Sequence, residues 1–318
     1  MLGLKKKFHQ WISQRYMDGC SSYNDLAVRR SCRSKEQARA VFAANNVPHA
    51  KGLIFFNPFT AIRFAKQYGF PLVIKPNVSG FSRGSHFPIN SYTQLWKAIF
   101  LAKLWWPTTV VEQYLLGKNY RVVVVKGNAD GSNNKMSSNN EKGQIMSVIE
   151  RFSPYVMGDG KQSIEQLIDE ENAVRESMEL FPVIHPLSKG SVTQTFLKKQ
   201  KYTLATTPAA GEIVTLFYRI SLAPGGVVSI IDQQTIPQVN KDLFTAVLAM
   251  FDANILGIDV IMQQGIDQPF DQQDCILLEV NSRPYLKMHD YPRFGQKEDL
   301  SRYYSHLDQF DISQADVF

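Results

Sequence analysis

The sequence predicts an α+β protein, and three observations carry that reading. Apolar segments of strand length, among them PLVIKP, YRVVVV, ILGIDVIM and CILLEVN, recur along the chain. Segments of helical period lie between them, and two of these open with a serine followed three residues on by glutamine, the spacing of a capping box. No internal repeat organises the 318 residues.

Ser34 and Gln37 start the first of these helices, with Ala38, Val41 and Phe42 at helical intervals and Asn45 and Asn46 ending the run ahead of Pro48. Asn57 and Pro58 begin the next, with Ala61, Ile62, Ala65 and Tyr68 on one face and Gly69 as its stop. Pro71 to Pro76 reads as a buried strand carrying one lysine. After the loop SGFSRGS, Ser91 and Gln94 open a helix containing Leu95, Ala98, Ile99 and Ala102. TVVEQY and YRVVVV follow as strand, turn and strand, with Gly117 in the connection. The tract from Gly127 to Gly143, rich in Asn, Ser, Lys and Gly, is expected to be a long mobile hairpin tip before IMSVIERF. MGDGKQSIEQLI reads as a tight turn, with Asp159 at positive φ, feeding a short helix. EIVTLFYRI is a strand, and the helix DLFTAVLAMFDA precedes the two β-rich stretches ILGIDVIM and CILLEVN.

Composition narrows the function classes. With 44% hydrophobic and 12% aromatic residues the chain can bury a sizeable core. No apolar stretch reaches the roughly 18 residues of a membrane-spanning helix, so no transmembrane segment is expected. The N-terminal MLGLKKKFHQWISQRYM is basic but lacks the apolar stretch of a signal peptide. Its Leu2, Leu4, Phe8, Trp11 and Ile12 share one helical side, which reads as a docked helix, the alternative being contact with a membrane or partner. Cys20, Cys32 and Cys275 are odd in number and lack metal-ligand spacing, which fits a reducing cytoplasm. The net charge of +6 is scattered, so no nucleic-acid partner is expected, whereas acidic or phosphorylated ligands suit the balance.

Five segments bear chemistry. Asp259 sits between Ile258 and Val260 in a strand fit for a core, where an unpaired carboxylate is expensive to bury and needs a cationic partner. Glu279 and Asn281 are two apart, so a strand points both to one face while Leu278 and Val280 point to the other. If the two strands pair antiparallel, three oxygen-bearing side chains converge, a set that suits magnesium shared with phosphates. The competing reading pairs Asp259 with a lysine or arginine and leaves Glu279 solvated. Lys75, inside its apolar strand, could meet a phosphate or serve a structural ion pair. Ser79 to Ser85 offers two glycines, three hydroxyls and Arg83 to an anion, without a Walker or GxGxxG pattern. Arg151 and Arg283 could hold a carboxylate or phosphate by forked hydrogen bonds. His289, with no second histidine at ligand spacing, reads as a hydrogen-bonded structural residue.

In order and spacing, PLVIKP, the Ser/Gly loop, VVEQYLLGKNYRVVVV, ERFSPYVMGDGKQSIEQLI, GIDVI and LLEVNSRPYLKMHDYP resemble the ATP-grasp module of cyanophycin synthetases and of bifunctional glutathione synthetases, from about Ser34 to Gly295. The resemblance implies an ATP-grasp fold, two α+β subdomains clasping ATP, with a truncated N-terminal region. It implies a nucleotide site of Lys75, Ser79, Gly80, Ser82, Arg83, Gly84, Glu112, Gln113, Leu115 and Asn119, with Glu112 at the adenine hinge. Asp259, Glu279 and Asn281 would ligate Mg2+, with Mn2+ as an alternative, and Arg121, Arg151 and Arg283 would face the reacting groups. Asn119 stands where relatives usually have an acid, Tyr285 where a glycine is common, and Ser221 where the cyanophycin enzymes have asparagine.

The expected activity is ATP-dependent ligation of a carboxylate to an amine through an acyl phosphate, on an amino acid or small peptide. The alternatives are a phosphotransferase on the same scaffold and a non-catalytic ATP-binding regulatory subunit. The expected organisation is a basic helical segment over 1–33, an ATP-grasp domain over 34–300 and a tail over 301–318. A homo-oligomer or a partner chain is expected to supply an N-terminal acceptor-binding domain.

Overall fold

The computed structural model describes residues 23–33, 35–77, 84–127 and 143–310. In chain order its elements are α1 (Leu26–Arg33), α2 (Lys35–Ala44), β1 (Gly52–Phe55), α3 (Pro58–Tyr68), β2 (Leu72–Pro76), β3 (His86–Ile89), α4 (Tyr92–Trp105), β4 (Thr109–Gln113), β5 (Lys118–Lys126), β6 (Gly143–Phe152), β7 (Tyr155–Met157), α5 (Ile164–Ser177), α6 (Ser191–Lys199), β8 (Ile213–Thr215), β9 (Val227–Ile230), α7 (Gln238–Met250), β10 (Ile255–Met262), β11 (Cys275–Asn281) and α8 (Ser301–Leu307).

Helix boundaries follow local chemistry. Asn57 caps α3 by accepting from the Phe59 N–H, Pro58 takes the first helical position, and Gly69 ends the helix at φ 75°. Ser91 accepts from the Gln94 N–H at the start of α4, while the Gln94 amide oxygen accepts from the Asn90 N–H. Ser163 and Gln166 form a capping box that opens α5 and helps extend it to 14 residues, longer than the short helix expected, while Ser34 of the box expected before α2 lies outside the described residues. Asp159 is not the positive-φ residue of the preceding turn: Gly160 takes φ 77°, and the Asp159 carboxylate accepts from the N–H groups of Lys161 and Gln162.

Two antiparallel sheets divide the chain. The smaller has the order β1-β4-β2-β3 and the larger β11-β10-β5-β6-β9. TVVEQY and YRVVVV are therefore not a hairpin. β4 closes the centre of the small sheet, the chain crosses over residues 114–117, and β5 enters the centre of the large one. α3 and α4 cover one face of the small sheet through Phe64, Leu95, Ile99, Leu72, Ile74 and Val111. One face of the large sheet packs on α7 and on α1 and α2, with Phe42, Phe244, Val247, Val122, Ile258 and Val260 buried together. β5 and β6 pair out to Lys126 and Gly143, but the hairpin tip expected over 127–143 lies, beyond its two end residues, outside the described residues.

Between β6 and β9 the chain builds a separate cluster from β7, β8, α5 and α6. α6 has no counterpart in the sequence reading, and EIVTLFYRI contributes a strand of only three residues. Glu171 ties this cluster to the C-terminal region, accepting from Arg175 at 2.8 Å and from two nitrogens of Arg293 at 3.0 and 2.9 Å.

The described residues nearest each end of the chain belong to the core. Val28 and Cys32 of α1 lie in the main cluster, and Asn24 donates to the carbonyls of Ile255 and Ser282, so the region before residue 34 is not separate over its described part. Over 301–310, the described part of the expected tail, the chain is likewise packed. Tyr303 and Leu307 of α8 pack with Val123, Val125, Met146 and Ile255. Among the described residues no helix is long and apolar enough to cross a membrane.

The burial of α8 makes Leu307→Ala a test of this boundary. Its side chain is fully buried, so urea unfolding should show a loss of about 2–5 kcal/mol, against roughly 0.5 kcal/mol or less for exposed Ser305→Ala. Equal, small losses would return the segment to a tail.

Candidate functional site

The register of the large sheet assembles a polar face. Asp259 on β10 stands opposite Arg121 on β5 and Glu279 on β11, and Gly257 stands opposite Asn281. Asn119 on β5 stands opposite Arg151 on β6. The strand period of two puts these side chains on one face, while Val122, Ile258, Val260 and Val280 turn into the core. Gly257 has a steric reason: a Cβ there would lie 2.8 Å from the Pro284 Cβ and 3.7 Å from that of Asn281.

Asp259 is held twice. Arg121 donates from Nε at 2.7 Å and from Nη2 at 2.9 Å, and Arg151 Nη2 lies 3.1 Å from the second oxygen. Burial pushes this carboxyl up, but the Arg121 and Arg151 guanidiniums outweigh it and hold the group at about 2. Arg151 also donates from Nε to the Asn119 amide oxygen at 2.8 Å. The cationic partner that the sequence demanded for Asp259 is thus a pair of arginines.

The small sheet brings a second cluster. Lys75 on β2 and Glu112 on β4 point away from α3 and α4, and the Lys75 ammonium bonds the Glu112 carboxylate. Arg39 of α2 binds the other oxygen of Glu112 at 2.8 Å. Gly52 lies beside them: a Cβ there would meet Glu112 Cγ at 2.6 Å. Lys35, also on α2, lies close enough to interact with Lys75, Glu112 and Glu279, and burial followed by the charge of Lys75 lowers its pKa. Lys35 therefore connects the two clusters.

The Glu112 carboxylate is engaged by two cations, so its side chain anchors them. Gln113 continues β4 and its amide oxygen accepts from the Lys51 N–H at 3.3 Å, and Leu115 lies in the crossing between the sheets. Gly84 is buried at φ 72° against Pro76 and Trp105. Ser79, Gly80, Ser82 and Arg83 lie outside the described residues. Arg283 follows β11 and is half-buried. His289 departs from expectation: it is fully buried, and neither ring nitrogen has a hydrogen-bond partner among the described residues.

Asp259, Glu279 and Asn281 form a donor set of hard oxygens suited to a divalent ion. Among the described residues no three His, Cys, Asp or Glu side chains form a metal group. Two carboxylates and one amide remain, which matches magnesium's usual reliance on few protein oxygens completed by phosphates and water. The buried amide nitrogen of Asn281 has no hydrogen-bond partner among the described residues. Both Asp259 oxygens already accept from arginines, so Asp259 would contribute a remaining lone pair.

Lys35 and Arg39 are missing from the sequence-derived site. A signal existed: a lysine in the first helical turn works against the helix dipole, and Arg39 follows four residues later on the same side.

Acid titration offers a check on the buried groups. Asp259 is held at about 2 against an ordinary 3.8, and burial, then Arg121 and Arg151, pull His289 to about 3 against 6.5. Both folded-state values are depressed, so the unfolded chain binds more protons and stability is lost as pH falls below 6.5. Thermal unfolding should show Tm declining from there, and His289→Leu should flatten the part of the decline above roughly pH 4. An unchanged profile in that variant would show that His289 titrates normally.

No family model matches the chain. It is similar to the cyanophycin synthetase of Trichormus variabilis, 28% identical over 273 residues that cover 85% of this chain and 28% of the relative. It is also similar to the glutathione biosynthesis bifunctional protein of Desulfotalea psychrophila, 25% identical over 264 residues, 81% of this chain and 31% of the relative. The chain thus spans about three-tenths of the length of these curated relatives. In structure it matches a bifunctional glutathione synthetase from Pasteurella multocida over 91% of this chain and 38% of that one, with TM-score 0.61 and 19% identity. The ATP-grasp ligase PsnB, complexed with minimal precursor, matches over 91% of this chain and 63% of that one, with TM-score 0.50 and 13% identity. The chain therefore has the α+β ATP-grasp fold that these structures share.

Proposed function

We propose that this protein is an ATP-dependent carboxylate–amine ligase that acts on an amino acid or small peptide in the cytoplasm. One observation carries the reading: cations from both sheets and from α2 converge with a carboxylate–amide set around the same space. Lys35 and Lys75 stand together as two ammonium groups within interaction range, an arrangement that an anion between them would relieve. We assign both to the nucleotide phosphates, and Asp259, Glu279 and Asn281 to magnesium. When bound, the metal would neutralise phosphate charge without proton bookkeeping.

The reaction requires no nucleophile from the chain. A substrate carboxylate attacks the γ-phosphate of ATP, ADP leaves, and an amine then displaces phosphate from the acyl phosphate to form an amide. Arg151 and Arg121 are already oriented by Asp259, so their guanidinium charges can stabilise developing charge at little reorganisation cost. The described cysteines suit no thiolate role. Burial pushes Cys32 up to about 11 and Cys275 up to about 12.

Incubation with Mg-ATP and pooled amino acids and short peptides should release ADP and phosphate only when a carboxylate and an amine are both present. The new mass should equal their sum less one water. A stable phosphorylated product would make the protein a phosphotransferase, and no turnover with a broad panel would favour a regulatory ATP-binding subunit.

Glu279→Gln preserves shape while removing one carboxylate charge. Turnover should fall roughly 100-fold or more, because metal charge stabilisation contributes several kcal/mol, while Tm stays near that of the parent. Unchanged turnover across a magnesium titration would take Glu279 out of the site.

A further inference from the structure

The small sheet turns Lys75 and Glu112 to the cleft and its helices outward, and the outward surface has a composition the reaction does not use. α4 is apolar on both sides. Leu95, Ala98, Ile99 and Ala102 pack on the sheet, while Trp96, Phe100 and Leu104 form an i, i+4, i+8 stripe facing solvent, Phe100 at 65% and Leu104 at 70% exposure. A helix apolar all round is normally covered on every side. The stripe continues onto the neighbouring segment: Phe59 meets Trp96 edge to face at 5.8 Å, and Phe56, 71% exposed, lies under the Lys103 ammonium at 4.8 Å. A contiguous exposed patch of this kind marks an interaction surface.

Charge selects the partner. The chain has 29 Asp and Glu residues, yet none lies between Glu36 and Glu112, a stretch that holds eight Lys and Arg. Arg63, Lys66 and Lys97 are exposed on α3 and α4, and Trp105 and Trp106 end the helix with their rings partly in solvent. A second copy docking by two-fold symmetry would set this acid-free surface against itself, lysine facing lysine. Tryptophans and lysines bordering an apolar helix face fit the headgroup boundary of an anionic bilayer, where the rings sit at the interface and the cations meet lipid phosphates.

The geometry points to a peripheral membrane-docking face: α4 and the Phe56–Phe59 segment lie flat on an anionic lipid surface with the nucleotide cleft turned away from it. Because Lys75 and Glu112 are on the opposite sheet face, docking leaves the cleft open.

The full chain should co-float with vesicles of phosphatidylglycerol and phosphatidylcholine at low salt, with a blue shift of tryptophan emission and quenching by brominated lipid. Binding to pure phosphatidylcholine should be about tenfold weaker or worse. F100E/L104E, which changes two exposed side chains, should weaken binding by about tenfold or more at an unchanged Tm. F8E/W11E, on the basic N-terminal segment, should retain it. The proposal is overturned if anionic vesicles are not bound, if neutral vesicles bind equally well, if F8E/W11E rather than F100E/L104E abolishes binding, or if light scattering finds a dimer that F100E/L104E dissociates.

Discussion

The bidentate bond between Arg121 and Asp259, shared by Arg151, is the constraint on which the site rests. It joins three adjacent strands of the large sheet, β6, β5 and β10, through side chains that the register sets on one face. Removing one partner from a buried pair leaves an uncompensated charge and typically costs about 3–5 kcal/mol. The interaction is therefore restrictive more than stabilising: it admits one arrangement of the three side chains. Burial pulls Arg151 down while Asp259 holds it charged, and the bonds fix where the guanidiniums point. Glu279 and Asn281 follow from that fixed point by register alone.

Much of this was legible because it is local or periodic. An acid inside ILGIDVIM demanded a cation, and the two-residue spacing of Glu279 and Asn281 forced a shared face, whatever the strand paired with. The capping residues at Asn57 and Ser91 were equally direct. What could not be read was the destination of strands. A five-residue connection between TVVEQY and YRVVVV reads as a turn between neighbouring strands, and only non-local pairing sends β4 and β5 to different sheets. Short strands also escaped: in EIVTLFYRI only three residues pair, because Leu216 and Phe217 pack as side chains beyond the ladder. α8 carries Tyr303 and Leu307 at i, i+4, a signal present in the sequence but too short to separate from an amphipathic tail.

The unread cations on α2 alter the meaning of the small sheet. Lys75 alone, facing Glu112, is an ordinary ion pair. Arg39 holds the same carboxylate from the other side, so Glu112 stays compensated when Lys75 turns to another anion. That exchange is inexpensive only because the second cation is in place. Lys35 supplies the reason for it: burial and the like charge of Lys75 weigh on its ammonium, against the opposing pull of Glu279 and Glu112. An incoming phosphate would satisfy both lysines and leave Arg39 and Glu112 as a closed pair.

Counting the named groups sharpens the point. Lys35, Arg39, Lys75, Arg121 and Arg151 are five cations against the three carboxylates Glu112, Asp259 and Glu279, an excess of two positive charges in a partly buried space. A nucleotide triphosphate with magnesium carries about two negative charges in excess, so the cleft and its proposed occupant are complementary as a whole and not just contact by contact. The same strand alternation explains the exterior. Turning Lys75 and Glu112 inward to that cleft obliges Leu72, Ile74 and Val111 to face α3 and α4. The site and the aromatic outer surface are therefore two sides of one antiparallel sheet. A one-residue slip in β2 or β4 would exchange them and destroy both.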